Sequence, residues 1–279
     1  MKDHPISPRT AALLATEDDR NTLRNIIPQL AHLLQHSPNL HLALLAHPSI
    51  PQISKLNPTE GQWCGYRNLQ MLCLALHDCL PSTSPARERL ETKPTIPHLQ
   101  ALIEDAWSRG HNPAGREHLG GRIVGTTKFV GTPEAEALLL SLGVPCTGRA
   151  FRGPQAWSEL LEAVEEYFSA SIAVPAAEGE QRKVDGGEVH MTSRPPIFLQ
   201  RPGHSVTVIG TSRSKTGKRH LLIFDPAWSP PAVLRKAAPL TCEECKGLSA
   251  KWTLRQYRKS ETYLKKWKAF ETLSVDLDP

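Results

Sequence analysis

One cysteine of this chain sits where a polar turn gives way to an apolar, helically spaced stretch, in Gly61-Gln62-Trp63-Cys64-Gly65-Tyr66. A thiol in the first turn of a helix meets unpaired backbone N–H groups and the positive end of the helix dipole, and both favour the thiolate. The same N–H groups can donate to the oxyanion of a tetrahedral intermediate, and losing one such donor costs roughly 3 to 4 kcal/mol of barrier. Cys64 is therefore a candidate nucleophile. Far downstream, Gly203-His204-Ser205 and Phe224-Asp225-Pro226 offer an imidazole as base and a carboxylate to orient it. Each group also has a plain alternative: a buried small hydrophobe for Cys64, a turn histidine for His204, and a turn starter for Asp225 ahead of Pro226.

Two elements must bring these groups together. After Cys64, the positions Leu69, Leu72, Cys73 and Leu76 follow helical spacing, so a central helix starts at or just after the cysteine. Strand signals come late, in Ile197-Phe198-Leu199, Val206-Thr207-Val208-Ile209 and Leu221-Leu222-Ile223-Phe224. If residues 205–210 and 219–224 form a hairpin across a polar loop at Thr211 to Lys218, the register continued to the open end places His204 directly opposite Asp225. Directly paired Cβ atoms lie about 4.5 to 5.5 Å apart, within imidazole–carboxylate reach.

Around these elements, residues 10–46 read as helical with Pro28 interrupting, and Pro48, Pro51 and Pro58 mark an extended connection. Further helices are expected through Leu99, Leu102, Ile103, Ala106 and Trp107 with a stop at Gly110, from an N-cap at Thr132 to Gly143, and from Pro154 to Phe168. Ala176 to Pro196 carries almost no large apolar residue and reads as a mobile surface loop. Helices first and strands later imply an α+β chain with a largely antiparallel sheet on the central helix. Residues 1–54 are expected as a helical extension packed on a core of residues 55–279, one compact unit overall.

With 279 residues and 39% hydrophobic content, one well-buried core is expected. Charged residues from Lys2 to Arg20 break the first stretch against a signal peptide, and no apolar run approaches the ~18 residues a membrane helix needs. A soluble, monomeric, cytoplasmic or nuclear protein with reduced thiols is the expectation. Cys242-Glu243-Glu244-Cys245 is a single C-x-x-C without a second pair, so a zinc site needs ligands from elsewhere, and no metal is expected. Lys and Arg crowd the region from Lys246 to Lys268, interleaved with Trp252, Tyr257, Tyr263 and Trp267. A nucleic-acid surface is one reading of that pattern; a solvated basic face is favoured over it.

The string Trp63-Cys64-Gly65-Tyr66-Arg67-Asn68-Leu69-Gln70-Met71-Leu72 resembles the nucleophile motif of a cysteine peptidase family. That family, the UFSP/ZUFSP type, combines ubiquitin-fold-modifier proteases with zinc-finger ubiquitin peptidases. The resemblance continues through residues 125–135, 199–210 and 221–226 and spans roughly residues 55–230. It implies a papain-like cysteine peptidase fold with no cofactor and Cys64, His204 and Asp225 as a triad. Modifier-specific members place their histidine two residues after the Asp, whereas ubiquitin-directed members take it from Gly-His-Ser. Here Ala227 follows Pro226 and Gly203-His204-Ser205 is intact, so the chain resembles the ubiquitin-directed layout, although without zinc fingers.

Gln200 resembles the family's oxyanion contributor, and Gln62 competes for that role. The implied substrate is ubiquitin or polyubiquitin, cleaved after its C-terminal Gly-Gly through a thioester on Cys64. Trp63, Gly203 and Trp228 are candidates to line a narrow groove for the glycine tail. Glu178, Glu180, Asp185 and Glu188 can either face ubiquitin's basic surface or form a solvated linker, the latter favoured. A protease for another ubiquitin-like modifier, or a non-catalytic module that binds such tails, is the alternative.

Overall fold

A computed structural model describes residues 5–15, 19–56, 62–90, 93–170, 187–236 and 240–277. Helices run over Pro8–Ala15 (α1), Ile26–Gln35 (α2), Cys64–Cys79 (α3), Pro85–Arg89 (α4), Ile96–Ser108 (α5), Pro113–His118 (α6), Thr132–Ser141 (α7), Ala156–Ser169 (α8), Gly247–Tyr257 (α9) and Glu261–Leu264 (α10). Strands are Thr22–Leu23 (β1), Leu40–Leu45 (β2), Gln52–Ile53 (β3), Cys146–Arg152 (β4), Glu188–Met191 (β5), Ile197–Arg201 (β6), His204–Ser214 (β7), Arg219–Phe224 (β8), Arg258–Ser260 (β9) and Ala269–Val275 (β10). No helix among the described residues is long and apolar enough to cross a membrane.

Burial on every side makes α3 the central helix, since every residue from Gly65 to Leu76 is buried. Its Trp63, Tyr66, Leu69, Leu72, Cys73 and Leu76 side packs in one apolar cluster with α5 and α7. Met71, Leu74 and Ala75 belong to a second cluster with α2, α8 and the sheet. The helix flanks follow their local chemistry. Thr95 caps α5 by accepting from the His98 N–H, and Gly110 at φ +92° ends it, with His111 N–H donating to Ala106 C=O. The cap of α7 falls at Gly131 rather than Thr132: Glu134 accepts from the Gly131 N–H at 2.8 Å, while the Thr132 hydroxyl turns to Glu271.

The main sheet runs β4-β10-β6-β7-β2-β5, with β8 and then β9 added beside β7. All its pairings are antiparallel except β2–β5. One edge of β7 is shared, residues 204–208 pairing with β6 and 210–214 with β2, while β8 covers the other edge. The α3 helix lies across β7 and β6.

Three further sequence expectations are corrected by the structure. The stretch expected to be helical to residue 46 leaves helix after Gln35, and Leu40–Leu45 forms β2 inside the sheet. Its run of alternating and continuous Leu and Ala fits a strand covered on both faces as well as it fits a helix. Within the stretch expected as a loop, Glu188–Met191 is β5, parallel to β2; Glu178, Glu180 and Asp185 lie outside the described residues. Finally, β7 extends to Ser214, and its register to β8 differs from the one expected.

That register changes along the hairpin. Arg213 pairs with Arg219 and Gly210 with Leu222, but Val208 pairs with Ile223, leaving Ile209 as an extra residue. This bulge shifts the parity of everything toward the open end. Continued from Thr207↔Phe224, Asp225 falls opposite Val206, so His204 and Asp225 are diagonal neighbours on one face rather than directly opposed. Without the extra residue, Asp225 would oppose Thr207 and His204 would project to the other face. Gly210 permits the bulge: its φ is +150°, and a Cβ there would stand 2.2 Å from the Leu44 carbonyl oxygen of β2.

Candidate active site

Cys64 is the first residue of α3, and Trp63 ahead of it provides no side-chain cap. The helix start thus presents its N–H groups and positive dipole end at the sulfur. Gly65 allows this helix end to lie against the segment after α6, because a Cβ at that position would stand 2.2 Å from the Val130 carbonyl oxygen. His204 opens β7 after the turn Pro202-Gly203. Proline at the second position and glycine at φ +77° at the third match the residue requirements of a type II turn. Asp225 follows the last residue of β8.

The structure brings these three together. His204 Nε2 lies 2.9 Å from Asp225 Oδ1, with the two side chains 18% and 14% exposed. The Cys64 thiol hydrogen-bonds the same imidazole. Because Asp225 occupies Nε2, the nitrogen facing the sulfur is Nδ1. Asp225 is itself held by the Ala227 N–H, which donates to Oδ1 at 2.9 Å.

Electrostatics follow from these contacts. Burial pushes the Cys64 thiol up, but hydrogen bonds from His204 and from the Ser205 hydroxyl and backbone outweigh it, leaving the pKa below that of an ordinary thiol. Burial works against the imidazolium of His204, yet the Asp225 carboxylate and the Cys64 sulfur raise it to about 9. Asp225 is also partly desolvated, and its hydrogen bond to His204 holds it below the usual carboxylate range. Both shifts favour the thiolate–imidazolium pair relative to the neutral thiol and imidazole. Other thiols behave oppositely: burial alone pushes Cys73 up to about 12, and chiefly burial does the same to Cys79 and Cys146. Of these four, only Cys64 is poised as a nucleophile.

A polar network behind the sulfur was not singled out by the sequence. Asn68, one helical turn beyond Cys64 and 1% exposed, donates from Nδ2 to the Ser205 hydroxyl at 3.0 Å and accepts from the Thr207 hydroxyl at 2.9 Å. With its oxygen accepting from Asn68, the Ser205 hydroxyl is left to donate to the sulfur. The available signal was an asparagine at i+4 from the cysteine, and so on its side of the helix, together with the alternate polar residues Ser205 and Thr207 of a strand.

The remaining candidates separate. Gln200 pairs across β6–β7 with Ser205 and accepts from the Thr132 N–H at 3.1 Å. A backbone N–H can be accepted only by Oε1, which leaves the amide nitrogen of Gln200 as a donor. Gln62 is exposed in the turn before α3. Trp63 is only 3% exposed and packs against Tyr66, with ring centroids 5.5 Å apart, so it offers little surface to a substrate tail. Trp228 is half-buried with its ring edge-on to Tyr257 at 4.9 Å. Gly203 serves the turn before His204, with open space around it.

A groove lined by Phe129, Val130, Gly131, Gln200 and Glu271 adjoins this region. Phe129 is exposed in it, and Val130 is the residue that packs on Gly65. Around the basic C-terminal region the chain's own cations stand beside aromatic rings. Arg201 stands 4.0 Å from the Trp267 ring centre, Lys265 4.3 Å from Trp157 and Arg255 5.2 Å from Trp252.

Comparison with known proteins bears on the family and the fold. The family model described as Peptidase family C78 matches residues 39–273, starting just before β2. The chain is 36% identical over 231 residues to zinc finger-containing ubiquitin peptidase 1 of Homo sapiens, a match covering 78% of this chain and 34% of that protein. The Mus musculus protein of the same name is 34% identical over 227 residues, with the same coverage. The chain thus spans about a third of the length of these relatives. Among solved structures it is similar to UfSP from C. elegans, with a TM-score of 0.51 and 14% identity, covering 98% of this chain and 41% of that one. That likeness shows the fold, a papain-like arrangement of a central helix on a largely antiparallel sheet.

Proposed function

Because the chain belongs to peptidase family C78, we propose that it is a cysteine peptidase that hydrolyses the bond after the C-terminal Gly-Gly of ubiquitin, with Cys64, His204 and Asp225 as its triad. The observation that carries this reading is the bridging imidazole, bonded to Asp225 through Nε2 at 2.9 Å and to the Cys64 sulfur on its other side. The Cys64 thiolate attacks the scissile carbonyl, and the tetrahedral intermediate collapses as Nδ1–H of His204 protonates the leaving amine. A thioester on Cys64 remains. The now neutral imidazole takes a proton from water, whose oxygen attacks the thioester and releases the free C-terminal carboxylate and the thiol. Asp225 holds the ring and offsets its positive charge throughout.

For the oxyanion, the N–H groups at the start of α3 are joined by the Gln200 amide in this reading. Gln200 is favoured over Gln62 because its cross-strand partner Ser205 touches the sulfur, whereas Gln62 stands exposed. Ubiquitin is favoured over other modifiers because the histidine comes from the Gly-His-Ser strand while Ala227 occupies the position two residues after Asp225. The 36%-identical relative is named a ubiquitin peptidase.

A ubiquitin probe bearing a C-terminal electrophile tests this directly. It is expected to label the wild-type chain at Cys64 and to leave Cys64→Ala untouched. Labelling only by a different ubiquitin-like probe would reject the substrate and keep the chemistry; a probe adduct on another cysteine would reject the triad.

A further inference from the structure

Away from Cys64, a second group of ligating side chains joins opposite ends of the chain. His32 lies in the last turn of α2 and His36 closes that helix, so the imidazoles are one turn apart. They stack with ring centroids 4.8 Å apart and 12° between planes. Cys245 comes from the turn ahead of α9 and is buried. One nitrogen from each ring and the Cys245 sulfur all lie within 4.8 Å of one another.

The rings are arranged as ligands are. His36 Nδ1 donates to the His32 carbonyl at 2.9 Å, which leaves the Nε2 lone pair free. Anchoring of one ring nitrogen by a carbonyl is the usual support of a metal-bound histidine. His32 Nε2 is buried without a hydrogen-bond partner among the described residues, an arrangement that calls for an explanation. Cys242 sits three residues before Cys245 in a turn closed by the Cys245 N–H donating to Thr241 C=O at 3.1 Å, and it is exposed. One cysteine of the C-x-x-C that lacked a second pair in the sequence therefore meets an H-x-x-x-H in space.

We propose that His32, His36, Cys242 and Cys245 bind a Zn²⁺ ion. Two imidazoles and two thiolates are a zinc donor set, and four protein ligands leave no open position, so the ion is structural. Zinc at 2.0 to 2.1 Å from nitrogen and 2.3 Å from sulfur draws tetrahedral donors to within about 3.3 to 3.8 Å of one another. Binding requires the three donors now within 4.8 Å to draw together and Cys242 to turn toward them. Each cysteine loses its proton on binding, two per ion. The ion pins the turn before α9 onto α2, where Gln29 already donates to the Lys236 carbonyl at 3.0 Å. Closing so long a loop is the arrangement in which a metal clip stabilises most in theory.

Metal analysis and Co²⁺ substitution of the full chain test this. One zinc per chain is expected after purification with zinc, and after chelation Co²⁺ should give tetrahedral d–d bands with a thiolate charge-transfer band. Zinc is expected to raise the melting temperature of the stripped protein. Cys242→Ser, at an exposed position, should keep the native circular dichroism while lowering zinc affinity in chelator competition by more than about 100-fold, the upper end of what losing a supporting outer partner costs. His36→Asn should behave alike. Absence of zinc binding tighter than micromolar, a Co²⁺ spectrum without the thiolate band, or wild-type zinc affinity in Cys242→Ser would each overturn the proposal.

Discussion

His204 is the residue on which the chemistry turns, because it touches both other members of the proposed triad. Asp225→Asn removes the charge that supports the imidazolium, so the His204 pKa falls from about 9. Hydrolysis of a ubiquitin C-terminal fluorophore should drop by about 10²- to 10⁴-fold, by analogy with the serine-protease carboxylate. Its alkaline limb, expected near pH 9 in the wild type, should move to lower pH. Stability follows the same group. The folded pKa of His204 lies above its ordinary 6.5, so its contribution is complete below pH 6.5 and lost as pH rises through about 9. That contribution is on the order of 3 kcal/mol, from the size of the shift. Denaturant midpoints of wild type and His204→Gln should therefore converge between pH 6 and pH 10. Ser205→Ala or Asn68→Ala removes or frees the hydroxyl that donates to the sulfur, and iodoacetamide alkylation of Cys64 should then need a higher pH. An unchanged alkylation profile in both variants would show that the network only packs.

At the level of elements, the site depends on one extra residue in β7. The bulge at Ile209 sets the parity that places His204 and Asp225 on one face, and Gly210 is where β2 comes too close for any side chain. Gly210→Ala forces backbone against backbone, with an expected cost of about 1 to 3 kcal/mol, occasionally more. A lower melting temperature, with slower probe labelling at Cys64, would be its signature. Labelling at the wild-type rate in a destabilised Gly210→Ala would separate the bulge's structural role from the geometry of the site. The contribution of α3 is simpler, since its buried flanks fix the position of its first turn, and with it the sulfur.

For the whole molecule, Leu40–Leu45 ahead of position 55 is a strand of the main sheet rather than part of a helical attachment to it. β2 covers residues 210–214 of β7 and buries Leu40, Leu44 and Leu45 in the larger apolar cluster. A chain beginning at residue 55 exposes both that edge and that cluster, and an open apolar edge invites aggregation. It is expected to give little soluble protein and no cooperative melt; a soluble chain with wild-type labelling would show that the sheet tolerates the loss.

The sequence by itself determined what is local. Helical spacing after Cys64, the glycine stops at Gly110 and Gly143, and the late strands all depend on neighbours a few residues away, and they fold as expected. The residues that meet at the site were also legible, because their types and motifs name the chemistry. Tertiary structure alone decided the rest. Leu40–Leu45 is strand rather than helix because β7 offers it an edge, and the hairpin register is set by a bulge that pairing with β2 and β8 imposes. Trp63 points into the core, Ser205 meets Asn68 across the helix–sheet contact, and His32 meets Cys245. Each of these depends on backbone pairing and burial between residues distant in sequence, and no periodicity within one segment encodes which partner a distant segment will present.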